Sequence, residues 1–228
     1  MAFNYSPKIV TDGLVMCLDA ANPSSYLSGS TTWKDISRAG YSGTLINGPS
    51  YNSANQGSIL FDGSDDYSSH GYISELYNTK TTTYNVWLKW NSLGGNKIII
   101  GNENQSSTIG LGIRQRSDNS YWMSPGVGLA NIIRVVPNVD TTKVHMITAL
   151  TDGANGSFYI NGSFISSSAY STTFTSQTIF YIGAGNAVSG PGNEPFAGNI
   201  YNVQIYNRAL SAEEIQRNYN ATRTRFGL

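Results

Sequence analysis

The sequence predicts an all-β fold: an antiparallel two-sheet jelly-roll sandwich closed by one short C-terminal α-helix. Short apolar or alternating runs recur along the 228 residues, and clusters of Gly, Asn, Asp, Ser and Pro separate them. No helix-length amphipathic segment precedes residue 210. The length lies within what one all-β domain fills. Residues 1–228 are therefore expected to form a single domain, with 1–8 as an N-terminal arm, 211–221 as the closing helix and 222–228 as a tail.

Strands are expected at 13–19, 58–61, 83–90, 97–101, 109–114, 144–151, 156–160, 163–166, 179–183 and 198–206. In 83–90, alternation puts Tyr84, Val86, Leu88 and Trp90 on one face and Thr83, Asn85, Trp87 and Lys89 on the other. Bulk on both faces marks a central strand. Between Ile160 and Ser163 stands Asn161-Gly162, the pair that tolerates the positive φ of a two-residue type I′ turn, so a hairpin is expected there. Asp62-Gly63 and Asp152-Gly153 read as further turns. Residues 184–196 hold enough Gly and Pro to read as a long loop, the kind of segment that carries binding residues on a rigid scaffold. At the end, Ser211 and Glu214 have the spacing of a capping box, Leu210 and Ile215 that of a hydrophobic staple, and the acidic first turn suits the helix dipole.

Charged residues are only 12% of the chain, about half the usual quarter, and Lys+Arg and Asp+Glu are equal at 14 each. That balance supplies no basic field for nucleic acid or an anionic membrane. No run is apolar enough to span a bilayer. Ser, Thr, Asn, Gly and Tyr fill the surface instead, a palette of adaptable hydrogen-bonding groups and flat rings that suits a neutral polar partner. Cys17, alone in its type, sits in an apolar run and reads as a small buried side chain. The first eight residues lack the pattern of a secretory signal, so the chain is expected to stay where it is made unless it leaves within a particle.

No strand carries two carboxylates at the spacing a retaining glycosidase needs. A Ser-His-Asp or Cys-His arrangement would need His70 or His145; the first reads as exposed in a Ser/Gly stretch, the second as a packed or bonded residue at a sheet end. Two distant histidines and one apolar cysteine give zinc no ligand set. Calcium needs only oxygen ligands, with Asp35, Asp62 and Asp66 as leading candidates beside Asp65, Asp118, Asn193 and Glu194. Because Asp and Asn are also the commonest turn residues, the turn reading is preferred at these positions, and no cofactor is required. For sugar recognition, which uses an aromatic platform beside hydrogen-bonding groups, the candidates are Tyr121, Trp122, Asn193, Glu194 and Phe196, although each ring is more often core than platform.

Taken in order, several pieces resemble the laminin-G-like, concanavalin A-like jelly-roll family. They are Asp12-Gly13-Leu14-Val15, Leu18-Asp19-Ala20-Ala21-Asn22-Pro23, Trp33-Lys34-Asp35, Phe61-Asp62-Gly63-Ser64-Asp65-Asp66-Tyr67, Tyr159-Ile160-Asn161-Gly162, Phe196-Ala197-Gly198-Asn199-Ile200 and Tyr206-Asn207-Arg208-Ala209-Leu210-Ser211. The first and last pieces, with Arg225-Phe226-Gly227-Leu228, look like a subgroup common in bacteriophage virion proteins. The resemblance implies a non-enzymatic virion structural protein, of capsid-decoration or tail-fibre type, with lectin-like adhesion to cell-surface glycans through loops. Expected partners are phage capsid or tail proteins and further copies of the chain in a homo-oligomer, and the expected location is the virion. One alternative is a capsid cement protein that acts by protein contacts alone. The last alternative is a glycan-cleaving enzyme, with Glu103 or Glu194 as the carboxylates to test. At Asp35 to Tyr41 the chain departs from the family's Gly/Asn-rich turn, because Arg38 and Tyr41 put bulk there.

Overall fold

The computed structural model describes residues 7–91, 94–102, 110–124, 133–135, 139–187 and 190–228. The chain opens with β1 (Leu14–Asp19), β2 (Thr32–Trp33), β3 (Gly43–Ile46) and β4 (Ser50–Asn52), followed by β5 (Ser58–Asp62) and β6 (Tyr67–Ser69). Its middle holds β7 (Thr81–Trp90), β8 (Lys97–Gly101), β9 (Gly112–Gln115), β10 (Tyr121–Ser124) and β11 (Ile133–Val135). Then come β12 (His145–Asp152), β13 (Asn155–Ile160), β14 (Ser163–Ala169) and β15 (Tyr181–Ile182). A hairpin of β16 (Gly185–Ala187) and β17 (Gly190–Asn193) precedes β18 (Ala197–Tyr206) and the helix α1 (Ala212–Thr222).

These strands build two antiparallel sheets. The first runs β14-β13-β12-β7-β18-β5-β4, with β1 also paired to β18; the second runs β11-β10-β9-β8-β15-β6-β3-β2. The expected central strand is β7, flanked by β12 and β18. Its alternation divides it between two cores: Tyr84, Val86, Leu88 and Trp90 enter the layer between the sheets, whereas Trp87 faces outward into a second apolar cluster under α1. There Tyr219 stacks on Trp87 at 5.5 Å and Phe226 at 4.8 Å between ring centroids.

Apart from the Trp87 indole N–H, which has no partner among the described residues, several polar groups on that covered face bond one another, as burial favours. Thr148 Oγ1 donates to Asn85 Oδ1 (2.7 Å) and Gln204 Nε2 to Asn202 Oδ1 (2.9 Å). Tyr206 Oη donates to the Val10 carbonyl (3.0 Å) and accepts from Asn218 Nδ2 (3.0 Å), while Asn218 Oδ1 accepts from the Val10 amide (2.8 Å). The N-terminal segment, the sheet and the helix are thereby tied at one point. The helix starts as its sequence dictates: Ser211 Oγ accepts from the Glu214 amide (3.3 Å), and Glu214 Oε2 accepts from the Ser211 amide (2.9 Å). Leu210 and Ile215 are both buried in the cluster beneath it.

At the β13–β14 hairpin Asn161 and Gly162 have φ of 53° and 79°, the two positive values of a type I′ turn. Asn161 Oδ1 also accepts from the Met146 amide (2.9 Å), pinning the turn to β12. Cys17 is buried as expected, and His145 is bonded at its sheet end, Nε2 to the Asp140 carbonyl (2.9 Å) and Nδ1 to Asn161 Nδ2 (3.1 Å).

Three expectations need correcting. The 184–196 stretch is not wholly irregular, since β16 and β17 pair within it. Residues 222–228, expected as a tail, are bonded to the sandwich. A 3₁₀ turn spans Arg223–Phe226, and Arg225 bonds Asp19 Oδ1 (2.8 Å) and the Asn55 carbonyl (2.8 Å). His70 is buried rather than exposed, because Gly43 opens room for its ring and both ring nitrogens find partners, Ser68 Oγ (2.9 Å) and the Tyr41 carbonyl (3.0 Å). The 163–166 strand continues to Ala169. Ile109, the expected start of β9, and residues 1–6 of the arm lie outside the described residues; at Lys8 the carbonyl accepts from Arg217 Nε (2.7 Å).

Candidate functional site

Alternation in the second sheet sends Ile113, Tyr121, Met123, Ile133 and Val135 into the inter-sheet core. The intervening residues Arg114 of β9, Trp122 of β10 and Arg134 of β11 therefore lie on the outer face, and the register sets Trp122 directly between the two arginines. The turn from β9 to β10 brings a third, Arg116, whose guanidinium carbon sits 4.3 Å from the centre of the Trp122 ring, a cation–π distance.

The half-exposed indole is fixed in place. Its Nε1 donates to Ser120 Oγ (2.7 Å), and the Ser120 hydroxyl donates to Asp118 Oδ1 (2.5 Å). Asp118 also accepts from the Ser120 amide (3.0 Å) and pairs with Arg134 through Oδ2. The Ser120 hydroxyl and amide, with the Arg134 guanidinium, hold the Asp118 carboxyl down at about 2. On the other side Glu194 bridges two guanidiniums, 2.8 Å from Arg114 and 3.3 Å from Arg116. Glu194 adopts a left-handed φ of 56°, and its carbonyl accepts from the Ile98 amide (2.8 Å), which straps the segment after β17 to β8. Arg114 is almost fully buried, and a buried guanidinium needs such a partner. The patch thus presents one oriented ring beside Arg116, Arg134, Asp118 and Glu194, groups competent to hydrogen-bond hydroxyls, with Arg114 buried beneath them as the anchor of Glu194.

Of the residues expected to bind a ligand, Trp122 and Glu194 meet in this patch, joined through Arg116. Tyr121 and Phe196 do not belong to it. Both are fully buried, Tyr121 against Trp90 (5.3 Å) and Phe196 against Phe61 (6.4 Å), so neither ring offers a face to a ligand. The Asn193 backbone pairs with Gly185, and its side chain lies outside what is described, as does Glu103. Arg114, Arg116, Arg134 and Ser120 were not among the expected residues; the alternation Ile113-Arg114-Gln115-Arg116 is the signal that points to the first two, and strand pairing and the indole hydrogen bond bring in the others.

The candidate calcium ligands separate likewise. Asp35 is a turn residue: Oδ1 accepts from the amides of Cys17 and Ser37 (2.8 Å each), and Oδ2 from the Ser37 hydroxyl (2.8 Å) and the Tyr41 amide (2.7 Å). Four donors leave it no free lone pair directed at an ion. Asp62, Asp65 and Asp66 do converge, with one carboxylate oxygen from each within 4.8 Å of the others. Burial, followed by the charges of Asp62 and Asp65, raises the Asp66 carboxyl, against the lowering effect of the Asp62 amide. A separate concavity on the outer face of the first sheet, lined by Cys17, Asp19, Asn202, Gln204 and Arg225, has polar groups engaged with one another.

A family model described as the concanavalin A-like lectin/glucanases superfamily matches residues 62–216. The chain belongs to that superfamily. Its two antiparallel sheets are the sandwich expected of a member. No curated relative matches the sequence. Among solved structures, Trypanosoma rangeli sialidase in complex with sialic acid is similar at TM-score 0.69 and 17% identity, over 95% of this chain and 34% of that one. The chain thus spans about a third of the sialidase. Domain 4 of AbnA, a GH43 extracellular arabinanase from Geobacillus stearothermophilus in complex with arabinotriose, is similar at TM-score 0.69 and 14% identity, over 90% and 98% of the two chains. The binding domain of Paraclostridial Mosquitocidal Protein 1 matches at TM-score 0.69 and 14% identity, over 92% and 52%. At such identities the likeness is one of fold. No helix among the described residues is long and apolar enough to cross a membrane.

Proposed function

We propose that the protein is a non-enzymatic, lectin-like adhesion module that binds a neutral glycan on the outer face of its second sheet. The observation that carries this reading is the fixed, half-exposed Trp122 indole set among arginines and carboxylates. A pyranose C–H face stacks on such a ring while the rim groups bond its hydroxyls. The arabinotriose-bound fold relative supports glycan as the ligand class. Binding without turnover is supported by the engagement of both patch carboxylates, Asp118 and Glu194, with arginines. The finer part of the proposal is display on a bacteriophage virion, as capsid decoration or fibre; its support is the resemblance of the chain's first and last motifs to such proteins. Calcium belongs to the proposal as the ion for Asp62, Asp65 and Asp66.

The test is a glycan array followed by calorimetric titration of the best neutral oligosaccharide. Trp122→Ala is expected to weaken binding at least tenfold, roughly the worth of one stacked ring. No binding above background, or equal binding by the variant, refutes the glycan reading and leaves the capsid-cement alternative. Imaging particles with and without the protein tests the virion placement. Melting with calcium and with chelator tests the ion: a rise with calcium that Asp66→Asn abolishes is the expected result, and an unchanged melt removes calcium from the account.

A further inference from the structure

Each sheet end exposes a row of backbone donors and acceptors unless something shortens or covers it. In the second sheet the terminal strands β11 and β2 have three and two residues, and in the first sheet β4 has three. The longer β1 is covered: the Ile36 amide donates to the Cys17 carbonyl (2.9 Å), Asp35 accepts from the Cys17 amide (2.8 Å) and Ser37 Oγ donates to the Val15 carbonyl (3.1 Å). The remaining end is β14, seven residues long, exposed at every position except the half-buried Ser166, and bonded only to β13 among the described residues. It carries neither charge nor proline, its one guard being the irregularity at Ile165, and it displays Phe164 at 57% and Ile165 at 41% exposure.

The occupant this edge fits is a second copy of itself. From Gly153 to Asn193 the chain has no Asp, Glu, Lys, Arg or His, so two copies of β14 meet without any like-charge pair, which self-pairing of a charged strand would force. An antiparallel pair of identical strands about a twofold axis is self-complementary by symmetry. The shared Phe164 and Ile165 side chains add apolar area to the new ladder. The pairing of β14 with β13 is irregular at Ile165, where Phe158 faces Ser166 but Tyr159 faces Phe164. The regular stretch is therefore Ser166 to Ala169. We infer that the protein dimerises by antiparallel β14–β14 pairing, with the twofold axis at Ser167, joining the first sheets of two copies into one continuous sheet.

Four variants at three β14 positions test this. Ser167→Lys places two ammonium groups opposite each other across the axis; at low salt it is expected to raise the dimer dissociation constant at least tenfold by light scattering and sedimentation. Salt on the order of 1 M, where the Debye length is about 3 Å, should restore much of the loss. Ser166→Cys, Ser167→Cys and Ser168→Cys are then oxidised in turn. Cys17 is buried and its thiol is pushed up to about 12, so the new thiol is the reactive one. Disulfide-linked dimer should peak sharply at Ser167, where opposed Cα atoms fall within bridging distance. A thermal melt of each variant controls for folding. A monomer at the highest soluble concentration, or a dimer indifferent to Ser167→Lys with equal cross-linking at all three positions, overturns the inference.

Discussion

His70 should make the protein's stability fall with acid in a window that its carboxylates do not explain. The ring is buried, and its hydrogen bonds define the neutral form: Nδ1–H donates to the Tyr41 carbonyl, and Nε2 accepts from the Ser68 hydroxyl. A second proton would turn the Ser68 hydroxyl from donor to acceptor and would place a positive charge in a buried site closed off by Gly43, where not even a Cβ fits. Burial accordingly lowers the imidazole from 6.5 to about 4, despite the opposing Tyr41 carbonyl and Asp35 charge. A base whose native pKa lies below its unfolded value takes up its proton preferentially in the unfolded chain. The stabilisation is complete above about pH 6.5 and disappears as pH falls to about 4. At about 1.4 kcal/mol for each tenfold change in proton affinity, the fall from 6.5 to about 4 is worth roughly 3 kcal/mol. Glu214, held at about 2 chiefly by Arg208, and Asp118, also at about 2, lose their contribution lower, as pH drops from the ordinary carboxylate range towards 2. Urea unfolding at a series of pH values, on the native chain and on His70→Gln, separates the two windows. The native curve should drop by about 3 kcal/mol between pH 6.5 and 4 while the variant stays nearly flat. Parallel curves through that window would show that His70 is not the group responsible.

Further outcomes follow from the packing and pairing described above. Glu194→Gln leaves the buried Arg114 guanidinium without its carboxylate and should cost about 2 kcal/mol in chemical denaturation, below the full buried-pair figure because Glu194 is itself 26% exposed. Phe226→Ala removes a ring stacked on Trp87 and should lower stability by about 2 kcal/mol, with a change in Trp fluorescence that reports the newly wetted indole. Gly162→Ala should destabilise by at least about 1 kcal/mol, since φ is 79° and the added Cβ would lie 2.7 Å from Gln216 Oε1; a variant as stable as the native chain would contradict the turn assignment.

What the sequence made legible was whatever carried a complete local signal. β7 is ten residues long and alternates through several periods, the Asn161-Gly162 turn has one strongly favoured geometry, and the Ser211–Glu214 pair satisfies its own amides. Strands such as β2, β3, β6 and β11 have two to four residues, too few to show a sustained alternation, and they exist because a neighbouring strand supplies their hydrogen bonds. His70 misled for a related reason: its Ser and Gly neighbours look solvated, but burial is decided by Gly43 and Tyr41, far away in sequence. At the candidate site the alternation of Tyr121, Trp122 and Met123 was readable and its phase was not. Only the partner strands show that Trp122 faces out, and only the pairing of β9, β10 and β11 gathers Arg114 and Arg134 around it.

The sandwich also has two sides of different trade. On one, the helix, the 3₁₀ turn and the segment from Lys8 to Val10 are lashed together over Trp87 and Tyr206. On the other, two sheets away, lies the Trp122 patch. Anything fastened through that lashed side would therefore leave the patch turned to the outside, so that mounting and contact would not compete for the same ground.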